Sequence, residues 1–176
     1  MITVTAEVSL PSSLDDTWAA LGRRACYLCF PGISTPAARE DGRPRSALAH
    51  ELDLPLIGPQ RQAATLSVGR GGGDAGLRRR RRFAVRGDLV SIAGRWQLEG
   101  LDSGVRAHLT LDYEISSRLR EQAVNELRSR SPLPIRTDAD AILGRAVDEF
   151  FATRFTEQAA AYCERLRARL DGHRAT

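Results

Sequence analysis

The stretch GVRAHLTLDYEI, residues 104–115, alternates between apolar and polar side chains along its whole length. One parity carries Val105, Ala107, Leu109, Leu111, Tyr113 and Ile115, and the other carries Arg106, His108, Thr110, Asp112 and Glu114. A period of two over a full strand is typical of a sheet with one face on the core and the other in water. The stretch therefore predicts a strand in an antiparallel sheet.

Five more strand patterns precede this stretch, the first of them at the start of the chain. They cover residues 48–54, 62–68, 77–86 and 90–98, together with the alternating residues 2–10. The glycine-rich residues 69–76 suit a hairpin connection, and Gly94 within the fourth pattern predicts a bulge. Pro11 ends the first strand, and Ser13 with Asp16 forms a capping-box-like start for a helix that runs to about Arg24. A second short helical piece follows through Tyr27-Leu28. Residues 31–45 have the composition of a loop.

Two helices follow residues 104–115. The first covers residues 116–130 and ends before Pro132 and Pro134, and the second, long helix opens at Asp138 or Asp140. Spacings of three and four place most of its apolar residues on one stripe, namely Ile142, Leu143, Ala146, Val147, Phe150, Phe151, Phe155, Ala159, Tyr162, Leu166 and Leu170. Consecutive strands followed by an amphipathic helix predict an α+β fold in which the helix covers one face of the sheet.

Length and composition predict one domain spanning residues 1–176, with 42% apolar and 27% charged residues. All 26 basic residues are arginine, and the formal net charge is only +4. The chain shows no signal-peptide pattern, no membrane-spanning stretch and no cysteine framework, so we expect a cytoplasmic location.

The order of elements resembles the helix-grip fold of the START/Bet v 1-type superfamily, also called SRPBCC. Within it, Cys29-Phe30-Pro31-Gly32-Ile33 and Leu56-Ile57-Gly58-Pro59 are similar to segments of the branch that contains the G-type subunit of carbon monoxide dehydrogenase. The strand from Gly104 to Tyr113 and the pair Phe150-Phe151 fit that branch too, although the hydrophobic C-terminal tail of the branch is absent. Polyketide cyclases and aromatases share the superfamily.

The resemblance implies a curved antiparallel sheet around a long C-terminal helix, with a hydrophobic cavity between them. It further implies that the chain binds a small hydrophobic or lipid-like ligand. A polyketide cyclase or aromatase acting in the same cavity is the enzymatic alternative, with Tyr113 and His50 as general acid and base. No cofactor and no metal are expected.

Strand parity predicts that His50, Arg79, Arg81, Trp96 and Tyr113 face such a cavity as ligand-binding residues. The resemblance adds Phe151 of the long helix, because some core aromatic residues line the cavity in helix-grip proteins. A buried guanidinium needs a carboxylate, water or an anionic ligand, so the two arginines favour an acidic ligand. The other interpretation, which is favoured because arginines are mostly exposed in folded proteins, is that both extend to solvent at the strand end.

The five consecutive arginines Arg78–Arg82 allow two further interpretations. Alternation divides them between the two sheet faces, which favours a solvated face over a nucleic-acid patch. The outer arginines also suit an accessory protein that docks on an acidic partner. Cys26 and Cys29 form a single C-x-x-C, which without a second pair predicts neither zinc nor a redox site.

Overall fold

The computed structural model describes residues 1–35, 47–73, 76–130 and 139–172. Its strands are β1 (Ile2–Leu10), β2 (Ile33–Ser34), β3 (Ala47–Leu54), β4 (Gly58–Val68), β5 (Gly72–Gly73), β6 (Arg78–Gly87), β7 (Val90–Leu101) and β8 (Gly104–Ile115). Its helices are α1 (Leu14–Leu21), α2 (Arg24–Tyr27), α3 (Ser117–Arg130) and α4 (Ala139–Gly172). Most of the predicted loop at 31–45 and the helix start at Asp138 lie outside the described residues.

The strands form one curled antiparallel sheet in the order β1-β8-β7-β6-β4-β3-β2, and β5 pairs with β6. The inward parity predicted for residues 104–115 holds, because Val105, Ala107, Leu109, Leu111 and Tyr113 are all buried. β8 lies between β7 and β1 and pairs with both along its length. This is the α+β helix-grip arrangement that the sequence predicts.

A side-chain cap fixes the start of α1, and a buried apolar stripe and an arginine contact fix how α4 packs on the sheet. The Ser13 side chain accepts a hydrogen bond from the backbone N–H of Asp16 at 3.1 Å, which caps α1. In α4 the stripe facing the sheet starts at Val147, because Ile142 is 55% exposed and Ala146 is exposed, contrary to the predicted stripe. Arg154 fastens α4 to β3 through a 2.7 Å bond to the Asp53 carboxylate.

The predicted bulge at Gly94 is wrong. Gly94 pairs in regular register with Phe83 on one side and Leu111 on the other. A Cβ on Gly94 would lie 2.1 Å from the Phe83 ring, so the ring occupies the space that a side chain at position 94 would fill. Leu77, the first residue of the strand predicted over 77–86, precedes β6 and is 68% exposed.

Candidate functional site

The interior between the sheet and α4 contains polar atoms that the described part of the chain leaves without a hydrogen-bond partner. We call the residues that carry them the interior polar set. They are His50 (Nε2), Arg81 (Nε), Trp96 (Nε1), Tyr113 (OH), Gln158 (Oε1) and Tyr162 (OH). Folded proteins pair nearly all buried polar atoms, so six such atoms in one core require an explanation.

His50 is held by a neighbouring glutamine on β4. Gln62 Oε1 accepts hydrogen bonds from the backbone N–H groups of Leu89 at 2.7 Å and Val90 at 3.1 Å, which fixes the orientation of the amide. Gln62 Nε2 then donates to the Val90 carbonyl at 2.8 Å and faces His50 Nδ1 at 3.1 Å. Because an amide nitrogen only donates, Nδ1 must be the acceptor.

This arrangement determines the chemistry of His50. Its neutral imidazole carries the hydrogen on Nε2, which is the atom without a partner. Burial lowers the pKa of His50 to about 4, so the ring is uncharged at neutral pH. His50 therefore presents a neutral N–H donor to the interior, and its basic lone pair is occupied by Gln62.

The tyrosine hydroxyls of the interior polar set are likewise uncharged. Tyr113 stacks on Phe155 of α4, with ring centroids 3.9 Å apart and planes 2° apart. Burial raises the pKa of Tyr113 and of Tyr162 above the ordinary tyrosine value. Both hydroxyls can donate or accept a hydrogen bond, but neither can serve as an anionic base near neutral pH.

Aromatic contacts join three members of the interior polar set. Phe30 lies 6.4 Å from His50 and 5.2 Å from Tyr162, measured between ring centroids. Tyr162 in turn lies 5.9 Å from Trp96. The donors of His50 and Trp96 and the Tyr162 hydroxyl thus belong to one continuous aromatic cluster.

The two inward arginines of β6 have different surroundings. Arg79 bonds to the Asp15 carboxylate on α1, and its side chain is 26% exposed. Arg81 is only 8% exposed, and its guanidinium carbon lies 4.0 Å from the centroid of the Trp18 ring. No hydrogen bond or ion pair joins Arg81 to another described residue, so its charge has a cation–π contact but no anion.

The predicted ligand-binding residues therefore fall into two groups. His50, Trp96, Tyr113 and Phe151 are fully buried in the interior, and Phe151 lies against Phe155 at 5.7 Å. Arg81 is also buried, in the part of the interior next to α1, whereas Arg79 is paired with Asp15. Their contact with a ligand stays a prediction.

Sequence reasoning missed three polar residues of the interior. Tyr162 was assigned to core packing, and neither Gln62 nor Gln158 was singled out. Gln158 gave a usable signal, because it is a polar residue on the apolar stripe of α4 and is only 7% exposed. Gln62 shared the inward parity of its strand, but its hydrogen bonds to Leu89 and Val90 cross between strands and cannot be read from spacing.

On the outer sheet face, some arginine charges are paired with a carboxylate and others lie in solvent. Glu99 lies 3.0 Å from Arg78 and 3.5 Å from Arg106, so these charges share one carboxylate. Arg80 and Arg82 are exposed, as the alternation predicts, and lie beside a surface groove of about 380 Å³. Exposed charges of this kind are ordinarily solvated.

The cysteines do not form a metal or disulfide site within the described ranges. All three are free thiols, and Cys26 and Cys163 are buried. Burial raises the pKa of Cys163 to about 12 and also raises the pKa of Cys26. No group of three or more His, Cys, Asp or Glu in the described residues could hold a metal ion.

Within those same ranges, no helix has the length and apolar character that a membrane crossing requires. No protein-family model and no curated protein matches the chain. Solved structures do match it over most of its length.

A protein from Thermus thermophilus is 19% identical, with a TM-score of 0.51, over 94% of this chain and 97% of that one. A Geobacillus kaustophilus protein is 7% identical, with a TM-score of 0.49, over 97% and 96%. A START superfamily protein from Mycobacterium smegmatis is 16% identical, with a TM-score of 0.43, over 89% and 96%. At these identities the likeness is one of fold, and the sheet and α4 as described form the α+β helix-grip arrangement.

Proposed function

We propose that the chain, as one domain spanning residues 1–176, binds a small hydrophobic or lipid-like ligand between the sheet and α4. The observation that carries this proposal is the interior polar set, whose six atoms lack partners among the described residues. Ligand sites in proteins are mostly apolar with a few polar groups that fix orientation. An aromatic interior with isolated donors and acceptors has that character.

Four predicted residues form the core of the proposed site. His50 and Trp96 supply N–H donors, Tyr113 supplies a hydroxyl, and Phe151 supplies apolar surface. Arg81 adds a positive charge at the α1 end, which supports an acidic group on the ligand. The cytoplasmic location expected from the sequence belongs to the same proposal.

The state of His50 supports binding over acid–base catalysis. A general base needs a free lone pair, and the Nδ1 lone pair of His50 accepts from Gln62. A neutral imidazole with a pKa near 4 is also uncharged at neutral pH and cannot act as a general acid there. The cyclase or aromatase alternative, with Tyr113 as its general acid, would need another residue as the general base.

Native mass spectrometry of the purified protein tests the proposal. We expect a hydrophobic molecule to be retained at a stoichiometry near one, and organic extraction then identifies its chemical class. Ala159→Phe fills interior space, because Ala159 is fully buried on α4, and it should reduce retention. Ala160→Phe is the matched control, because Ala160 is the next residue and is exposed.

Two outcomes contradict the proposal. The first is a protein that retains nothing and shows no thermal shift with fatty acids, quinones or polyketide mimics. The second is a folded Ala159→Phe variant that retains ligand as well as the wild type, which would move the ligand out of the interior. In the first case the exposed arginines of β6 become the surface to test against acidic proteins.

A further inference from the structure

The surroundings of Arg81 indicate that the ligand has an acidic group and where in the interior that group would bind. We propose that Arg81 and Trp96 form an internal anion site that binds the carboxylate or phosphate of a hydrophobic acid at the α1 end. This inference rests on the proposed function and adds the ligand's chemical class and its orientation. The apolar body of the ligand would then extend toward Tyr113 and Phe151.

The first argument is the unbalanced charge of Arg81. Arg81 is 8% exposed, and its buried Nε has no hydrogen-bond partner among the described residues. The nearby carboxylate of Asp15 is taken by Arg79, and Asp16 bonds to the hydroxyl of Ser13. A buried guanidinium N–H needs an anion, a water molecule or another acceptor, and no described residue supplies one to Nε.

The second argument is that Arg81 is held in place by contacts that leave Nε free. The face of the Trp18 ring covers the guanidinium at 4.0 Å. A Cβ on Gly22 would lie 2.6 Å from Nη1 of Arg81, so the guanidinium occupies space left by a glycine at the end of α1. Trp18 and the negative end of the helix favour the positive charge there, but no residue in the described ranges accepts a hydrogen bond from Nε.

The third argument is the position of Trp96. It lies directly opposite Arg81 on the neighbouring strand, and both side chains point to the interior. Directly opposed residues of an antiparallel pair have Cβ atoms about 5 Å apart. The indole Nε1 is a donor only and has no acceptor among the described residues. N–H donors on these two opposed residues, one of them charged, match the paired oxygens of a carboxylate or phosphate.

A pair of fluorescent probes isolates the effect of the acidic group. Anilinonaphthalene sulfonate has a hydrophobic body with one sulfonate, and N-phenylnaphthylamine has the same body without it. We expect the wild type to bind the sulfonate at least about tenfold more tightly, as a charge-assisted hydrogen bond allows. Arg81→Gln should weaken sulfonate binding about tenfold or more and leave the neutral probe within about twofold. Arg80→Gln removes the same charge from the outer face and should change neither.

A displacement series on the wild type keeps the inference testable if Arg81→Gln does not fold. Dodecanoate, dodecyl phosphate and dodecanol compete for the neutral probe, and we expect at least one acid to compete about tenfold better than the alcohol. The better acid distinguishes a carboxylate from a phosphate ligand. Trp96→Phe keeps the aromatic ring but removes the donor, and should lower sulfonate binding relative to the neutral probe.

The outcomes separate the two proposals. Equal competition by all three dodecyl compounds, with the neutral probe bound, overturns the anion site and leaves hydrophobic binding intact. A folded Arg81→Gln variant with unchanged preference for the sulfonate does the same and makes Arg81 a structural contact of α1. Failure of the wild type to bind either probe counts against the proposed function itself.

Discussion

Replacement of Gln62 by leucine is the most direct test of how the interior is held together. Gln62 is 6% exposed and joins β4 to the start of β7 and to His50. Leucine has nearly the same volume but none of the polar atoms. Gln62→Leu therefore removes the hydrogen bonds and largely preserves the packing.

The magnitude follows from the groups that lose their partners. Both backbone groups of Val90 that bond to Gln62 are buried, and each costs about 1–3 kcal/mol when left unsatisfied. The N–H of Leu89 is partly buried, and His50 Nδ1 also loses its donor. After allowance for the added apolar burial, we expect Gln62→Leu to lower the free energy of unfolding by about 3–5 kcal/mol.

Urea denaturation followed by circular dichroism measures this change. Gln60→Leu is the matched control, because Gln60 lies on the same strand and makes one 3.3 Å bond to the Ile57 carbonyl. We expect that control to cost less than about 1 kcal/mol. If Gln62→Leu and Gln60→Leu differ by less than about 1 kcal/mol, the assignment of His50 as a fixed Nε2–H donor loses its basis.

Two further predictions concern His50 and Gly94. Burial lowers the pKa of His50 to about 4 from an unfolded value near 6.5. The contribution of neutral His50 to the free energy of unfolding is therefore complete above the unfolded pKa and is lost as the pH falls toward 4. Between about pH 7.5 and about pH 5 the free energy of unfolding should fall by about 2 kcal/mol through this effect. His50→Gln should abolish the loss, and His108→Gln, at a partly exposed histidine, should retain it. The same loss in both variants would refute the lowered pKa of His50. Gly94→Ala should destabilise the protein by about 1–3 kcal/mol, because the new methyl group would overlap the Phe83 ring, and an unchanged urea midpoint would contradict that packing. Ala93→Ser on the exposed face of the same strand is its control.

Much of the fold could be predicted because period-two and helical patterns report which face of an element is buried. The alternation of residues 104–115 identified β8 and its inward face, and Ser13 with Asp16 identified the start of α1. The sequence patterns gave a wrong prediction where a side chain from a neighbouring strand determines the local structure. Gly94 suggests a bulge in isolation, but the ring of Phe83 fills the space above it in a regular ladder.

The candidate site was predictable only as a set of inward positions. Parity placed His50, Trp96 and Tyr113 on the buried faces of their strands, and all three are fully buried. Parity could not decide whether Arg79 and Arg81 would be paired, because that depends on where α1 lies relative to β6. Asp15 reaches Arg79 and leaves Arg81 under Trp18.

By itself, the sequence determined the α+β class, the faces of the strands and the apolar stripe of α4, because each depends on residues close together in the chain. The tertiary structure decided the chemistry of the interior. Burial keeps His50 neutral, and Gln62, oriented by backbone groups of Leu89 and Val90 about 27 residues further along the chain, makes Nε2 its donor. Hydrogen bonds and charge pairs of this kind depend on distances of a few ångströms between separate strands and helices, and sequence spacing does not contain those distances.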